Sequence, residues 1–101
     1  MIDKNTTAAL IKKNSSVDPA VLEYYIDKII ENFNPQRVFV IGSVATGTAN
    51  KYSDIDFVVD ADGFIDIDAV IGALDIIPYN QMSDHIREEL EQNGVLVYEK
   101  K

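Results

Sequence analysis

Two short runs constrain this chain more than any other feature: Arg37-Val38-Phe39-Val40-Ile41 and Asp54-Ile55-Asp56-Phe57-Val58-Val59. The first is β-branched, aromatic and apolar on both faces, the pattern of a strand buried inside a sheet. The second alternates where it begins. Ile55 and Phe57 leave one face toward a core, while Asp54 and Asp56 leave the other together. Between the runs, Ser43 to Ser53 is small, polar and glycine-containing, compatible with a helical turn followed by a loop.

The flanking segments supply helices and two further strands. Asp18 is placed to cap a helix with Pro19 as its first residue. Val21, Leu22, Tyr25, Ile26, Ile29, Ile30 and Phe33 recur at helical spacing as one wide apolar face, and Asn34-Pro35 ends it. That stripe is the face of a helix packed on a sheet. Thr6 to Lys13 reads as a short helix ended by Asn14-Ser15-Ser16. Downstream, Phe64 to Leu74 contains a short helix opened by Asp66 or Asp68. Leu74-Asp75-Ile76-Ile77 is a third strand closed by Pro78. Ser83 caps a last helix with Ile86, Leu90 and Met82 inward and Asn93-Gly94 at its end, and Val95 to Tyr98 is a terminal strand. The expected fold is α/β (α+β), a small mixed β-sheet with helices packed mainly on one face and a cleft at the sheet edge beside Gly42. Residues 1–17 form an N-terminal extension, and residues 18–101 form the domain. Repeats and low-complexity tracts are not seen.

At 101 residues the chain has room for one domain, and a hydrophobic share of 47% supports a core without cross-links. The absence of cysteine excludes thiol catalysis, zinc–thiolate sites and disulfide frameworks, and suits a reducing cytoplasm. No apolar run approaches the roughly 20 residues that span a bilayer. Met1 to Asn5 does not open a signal peptide. A soluble, cytoplasmic protein without a membrane role is expected. Seventeen acids against nine bases give a net charge of −8, which repels phosphate backbones and makes direct nucleic-acid binding an unfavourable role.

The acids are unevenly placed. Asp54, Asp56, Asp60, Asp62, Asp66, Asp68 and Asp75, seven of 11 aspartates, fall within 22 residues. Such crowding costs self-repulsion unless solvent or cations relieve it. Most of the seven read as solvated loop and cap residues, and a subset reads as a divalent-metal site. An EF-hand is excluded: setting Gly63 at the sixth position of Asp60-Ala61-Asp62-Gly63-Phe64-Ile65-Asp66 puts Val58 at the first ligand position and Ala69 at the twelfth. Asp60 and Asp62 then read as a turn after the second strand.

The segment from Gly42 to Asp56 carries the chemistry. Gly42 lets backbone approach a phosphate where a side chain would obstruct it. Ser43 adds a hydroxyl at the start of a helical turn, whose free N–H groups suit anions, and a plain N-cap role for it is compatible with that. Asp54 and Asp56, beside that cradle, would hold divalent cations between protein and triphosphate, an arrangement Mg²⁺ favours.

Gly42-Ser43, ten residues, then Asp54-Ile55-Asp56 resembles the signature of the DNA polymerase β-like nucleotidyltransferase superfamily. The small size and the ending Gly94-Val95-Leu96-Val97-Tyr98-Glu99 resemble its minimal nucleotidyltransferase branch, over about residues 19–99. The resemblance implies the nucleotidyltransferase fold, ATP as substrate and Mg²⁺ as cofactor. Asp54 and Asp56 would be metal ligands, with Asp75 as a third carboxylate that also helps deprotonate the incoming hydroxyl, and Gly42 and Ser43 would contact the nucleotide. It implies transfer of AMP to a hydroxyl, on a tyrosine of a partner HEPN-domain protein, which would make the chain the antitoxin of a toxin–antitoxin system. Homo-oligomerisation stays open.

One residue departs from the branch. Where Gly-Ser-x-Ala-Arg-Gly is common, this chain has Gly42-Ser43-Val44-Ala45-Thr46-Gly47, so Thr46 stands where a phosphate-facing cation would. Lys51 could substitute, though a solvated loop lysine is its ordinary role. The alternative function is therefore a non-catalytic antitoxin or nucleotide-binding module that occupies its partner. Antibiotic nucleotidylation is disfavoured because no second domain is available to hold a small acceptor. The ordinary readings are a polar strand end for Asp54 and Asp56, a strand-start residue for Asp75 and a surface position for His85. The five tyrosines read as core or rim aromatics, with Tyr52 near enough to the carboxylates to approach a nucleotide.

Overall fold

The computed structural model describes residues 4–13, 18–48, 55–61 and 74–100. Its elements run α1 (Lys4–Lys13), α2 (Pro19–Phe33), β1 (Arg37–Ile41), α3 (Gly42–Thr46), β2 (Ile55–Asp60), β3 (Leu74–Pro78), a 3₁₀ turn (Tyr79–Gln81), α4 (Asp84–Asn93) and β4 (Val95–Glu99). The helix expected within 64–74 lies outside the described residues up to position 73, and Leu74 opens β3.

Helix α2 forms where its caps dictate. Asp18 is extended, with its Oδ1 accepting from Ala20 N at 2.9 Å, and Pro19 opens the first turn. At the other end Asn34 turns left-handed, φ 45°, and donates its N–H to Ile30 O. Leu22, Ile26 and Ile29 are fully buried, each worth about 1.5–3 kcal/mol of transfer free energy. The inward stripe is narrower than the sequence implies. Val21 stays 41% exposed, because it sits one residue and so about 100° around the helix from Leu22.

The four strands form one mixed sheet in the order β3-β2-β1-β4. β1 pairs antiparallel with β2 and with β4, and β2 pairs parallel with β3. The parallel step needs a crossover of a dozen or more residues, which the chain between β2 and β3 is long enough to supply. On one sheet face Val38, Val40, Phe57 and Val59 pack with Leu22, Ile26 and Ile29 of α2, Leu10 of α1 and Val44 and Ala45 of α3. Helices α1, α2 and α3 therefore gather on that face, in keeping with helices packed mainly on one side. β4 carries a bulge: Tyr98 stands opposite Val38 and Leu96 opposite Phe39, leaving Val97 as the extra residue. Ser83 caps α4, with Oγ accepting from Ile86 N at 3.3 Å.

Gly42 follows an interior strand, not an edge strand, and so lies at the C-terminal end of β1 in the middle of the sheet rather than at its edge. The physical reason is the terminal strand. β4 covers the free side of β1 and removes the edge that the sequence left open. Among the described residues no helix is long and apolar enough to cross a membrane.

Candidate active site

The site is built where β1 ends and β2 begins. The register sets Ile41 opposite Asp56, and Asp56 opposite Asp75, so the three form a single row across β1, β2 and β3. Neighbouring strands lie about 4.8 Å apart, which brings the Asp56 and Asp75 positions next to each other on two strands that point the same way. Ile55, Phe57 and Val59 alternate into the core beneath α1, α2 and α3, so Asp56 belongs to the opposite face, where it is half-buried. Asp54 lies outside the described residues, as do Lys51 and Tyr52. Among the described residues no group of three or more acids or histidines gathers, and Asp75 enters through its strand position.

Gly42 is left-handed, φ 72°, where the chain turns from β1 into α3. Its Cα lies against the Asp56 carboxylate. A Cβ at Gly42 would stand 2.5 Å from Asp56 Oδ2, 3.5 Å from its Cγ and 3.8 Å from its Cβ. Ile41 occupies the N-cap of α3, so Ser43 is an internal residue of that turn and not its cap. Val44 and Ala45 anchor the turn in the core, and left-handed Gly47 closes it by donating its N–H to Ser43 O.

Thr46, at the position of the missing cation, is exposed and folded back on its own turn. Its Oγ1 donates to the Gly42 and Ser43 carbonyls at 3.3 and 3.4 Å and meets Thr48 Oγ1 at 3.0 Å. His85 is exposed near the start of α4, in keeping with a surface role.

Asp60 corrects the sequence reading. It is the last residue of β2, not part of a turn, and its Oδ2 accepts from Arg37 Nε at 2.9 Å and from the guanidinium terminus at 2.8 Å. Arg37 is held charged more firmly than usual, chiefly by Asp60, against the opposing effect of burial and with help from Tyr79. The guanidinium also sits 5.2 Å from the Phe39 ring and 5.1 Å from the Tyr79 ring. Sequence reasoning missed this cluster because it depends on a register between residues 23 apart. The only local signal was one arginine at the start of an apolar strand.

Residues 22–97 match the model of the nucleotidyltransferase domain. The chain belongs to this nucleotidyltransferase family. No curated protein matches it. Two solved structures share the fold of this nucleotidyltransferase domain. One is a toxin–antitoxin with AMP-PNP, TM-score 0.63 and 20% identity, over 75% of this chain and 71% of that one. The other is a mutant of the toxin–antitoxin MntA-HpeT, TM-score 0.57 and 17% identity, over 84% of this chain and 75% of that one. Family membership agrees with the polymerase β-like resemblance carried by Gly42, Ser43, Asp54 and Asp56.

Proposed function

We propose that this nucleotidyltransferase moves AMP from ATP to a hydroxyl of a partner HEPN-domain toxin, and so acts as a cytoplasmic antitoxin. The observation that carries the reading is the row Asp56–Asp75 across a parallel strand pair, with Asp56 seated against Gly42. The donor set fits Mg²⁺: aspartates at paired positions of two adjacent strands offer the hard oxygen ligands this ion takes while keeping several waters. Asp54, Asp56 and Asp75 would hold it. When bound, Mg²⁺ supplies charge neutralisation at the triphosphate and at the departing pyrophosphate.

The chain's own residues account for the rest. Asp75 takes the proton of the incoming hydroxyl. The hydroxyl oxygen forms a bond to the α-phosphorus as the bond to pyrophosphate breaks, so the acceptor gains AMP and pyrophosphate leaves. Ser43 in the first turn of α3 orients the phosphates. Residues 18–101 form the catalytic domain, with residues 1–17 as its extension. Two toxin–antitoxins among the fold neighbours, one with AMP-PNP, support a nucleotide and a protein acceptor. The test is transfer of label from α-labelled ATP to the purified toxin in Mg²⁺. Labelled toxin with the wild type and none with Asp56→Asn is expected. An unlabelled toxin that the wild type still neutralises would overturn the reading.

That outcome would favour a second reading, a non-catalytic binder. Thr46 favours it, since its hydroxyl is engaged with the Gly42 and Ser43 carbonyls and brings no positive charge to a phosphate.

A further inference from the structure

Glycine at position 42 admits two explanations already on the page: a left-handed backbone and close approach of a phosphate. Neither accounts for what surrounds it. The three heavy atoms nearest to a Cβ at this position all belong to Asp56, led by Oδ2 at 2.5 Å. The space a side chain would need is filled by the carboxylate. The left-handed φ of 72° is a separate constraint, since asparagine tolerates that region far better than alanine while still carrying a Cβ.

We propose that Gly42 is a positioning residue for Asp56: its bare Cα is the seat against which the carboxylate is set in the row it shares with Asp75. Any L side chain at 42 drives Oδ2 off that seat. Asp56 then leaves its place either by changing rotamer or by shifting the end of β2. The coupling runs from the end of β1 to β2 through the approach of Gly42 to the Asp56 carboxylate, and it accounts for a glycine immediately after a strand of large side chains. The consequence for metal binding rests on the function proposed above, whereas the seating itself does not.

The test separates the two. Thermal melts in EDTA compare wild type, Gly42→Ala, Asp56→Ala and the double variant, with Gly42→Asn alongside as the substitution that suits the left-handed backbone. Removing the carboxylate leaves only the Asp56 Cβ, at an ordinary contact distance of 3.8 Å. The melting-temperature loss from Gly42→Ala is therefore expected to fall by about half or more in the Asp56→Ala background, as residues in direct contact couple. Equal losses in both backgrounds would overturn the proposal and leave backbone conformation as the whole cause. If Gly42→Ala folds only when Asp56 is also alanine, that is the same coupling in its extreme form; failure to fold in both backgrounds, with Gly42→Asn uncoupled as well, sinks it. Calorimetric titration with Mn²⁺ as the probe supplies the second readout. Folded Gly42→Asn should bind Mn²⁺ about ten-fold or more weakly than wild type, the loss expected when the support of a ligand is moved. Unchanged Mn²⁺ affinity would overturn the proposal. A wild type that does not bind Mn²⁺ strikes at the proposed function, and the melts alone then decide the seating.

Discussion

Arg37 and Asp60 face each other across β1 and β2 at the end of the strand pair remote from Gly42. Two guanidinium nitrogens share one carboxylate oxygen, and the same guanidinium lies against Phe39 and Tyr79. The side chains keep 36% and 28% of their surface in solvent, so the ion pair itself is worth no more than about 1 kcal/mol. The aromatic contacts add about 0.5–1 kcal/mol, because Phe39 and Tyr79 partly screen the charge from water. Arg37→Lys keeps the charge but loses the planar fork and the stacking, and is expected to cost about 1 kcal/mol in urea unfolding. A double-mutant cycle with Asp60→Asn should return a coupling of about 0.5–1 kcal/mol. Coupling near zero would mean that the pair is incidental and that packing of the arginine stem accounts for its effect. The contrast between this cluster and the Gly42–Asp56 site is a contrast of range. Gly-Ser and Asp-x-Asp are legible because each motif is local and their spacing is countable along the chain. Arg37 and Asp60 meet only once strand register is fixed, and a register cannot be counted through the intervening loop.

Elements were legible where their ends are chemical. Asp18-Pro19 and Asn34-Pro35 bracket α2 in the structure as they do in the sequence, and Ser83 begins α4. The turn after β1 was less so. Ile41, with no side-chain oxygen, takes the N-cap of α3, because the turn is held by its buried Val44 and Ala45 and not by a capping bond. The sheet order was not legible at all, since short apolar strands pair equally well in several orders. The cap at Asn34 yields a prediction for its element. A left-handed residue costs an alanine about 1 kcal/mol, while glycine takes it without steric penalty and asparagine stands between them. Asn34 also accepts from Lys100 Nζ at 3.3 Å, a contact too exposed to weigh much. Asn34→Ala should therefore lower the stability of the domain by about 1 kcal/mol, and Asn34→Gly should change it by less than about 0.5 kcal/mol. Chemical denaturation measures both. Equal losses in the two variants would show that the asparagine side chain, not the backbone conformation, holds this end of α2.

The whole chain carries −8, and its aspartates crowd the region from Asp54 to Asp75. A sheet that sets Asp56 opposite Asp75 in parallel register places like charges at neighbouring positions. Like charges directly opposite each other destabilise a pair of strands by a few tenths to about 1 kcal/mol. A fold that existed only to be stable would not keep both. Asp56→Asn removes one charge at nearly constant shape, and asparagine retains an acceptor oxygen for contacts the carboxylate makes. In EDTA at low salt the variant is expected to be more stable than wild type by about 0.5 kcal/mol, and added monovalent salt should narrow the gap by screening. With Mg²⁺ and ATP the order should reverse. A ligand at about 100 times its dissociation constant stabilises the protein that binds it by about 2.7 kcal/mol, and only wild type would gain this. The crossing of the two stability orders is the informative result, because loss of a structural hydrogen bond would make Asp56→Asn weaker under both conditions. A variant less stable than wild type in EDTA would therefore mean that Asp56 holds the sheet together, and that its charge is not kept at a cost for the sake of a ligand.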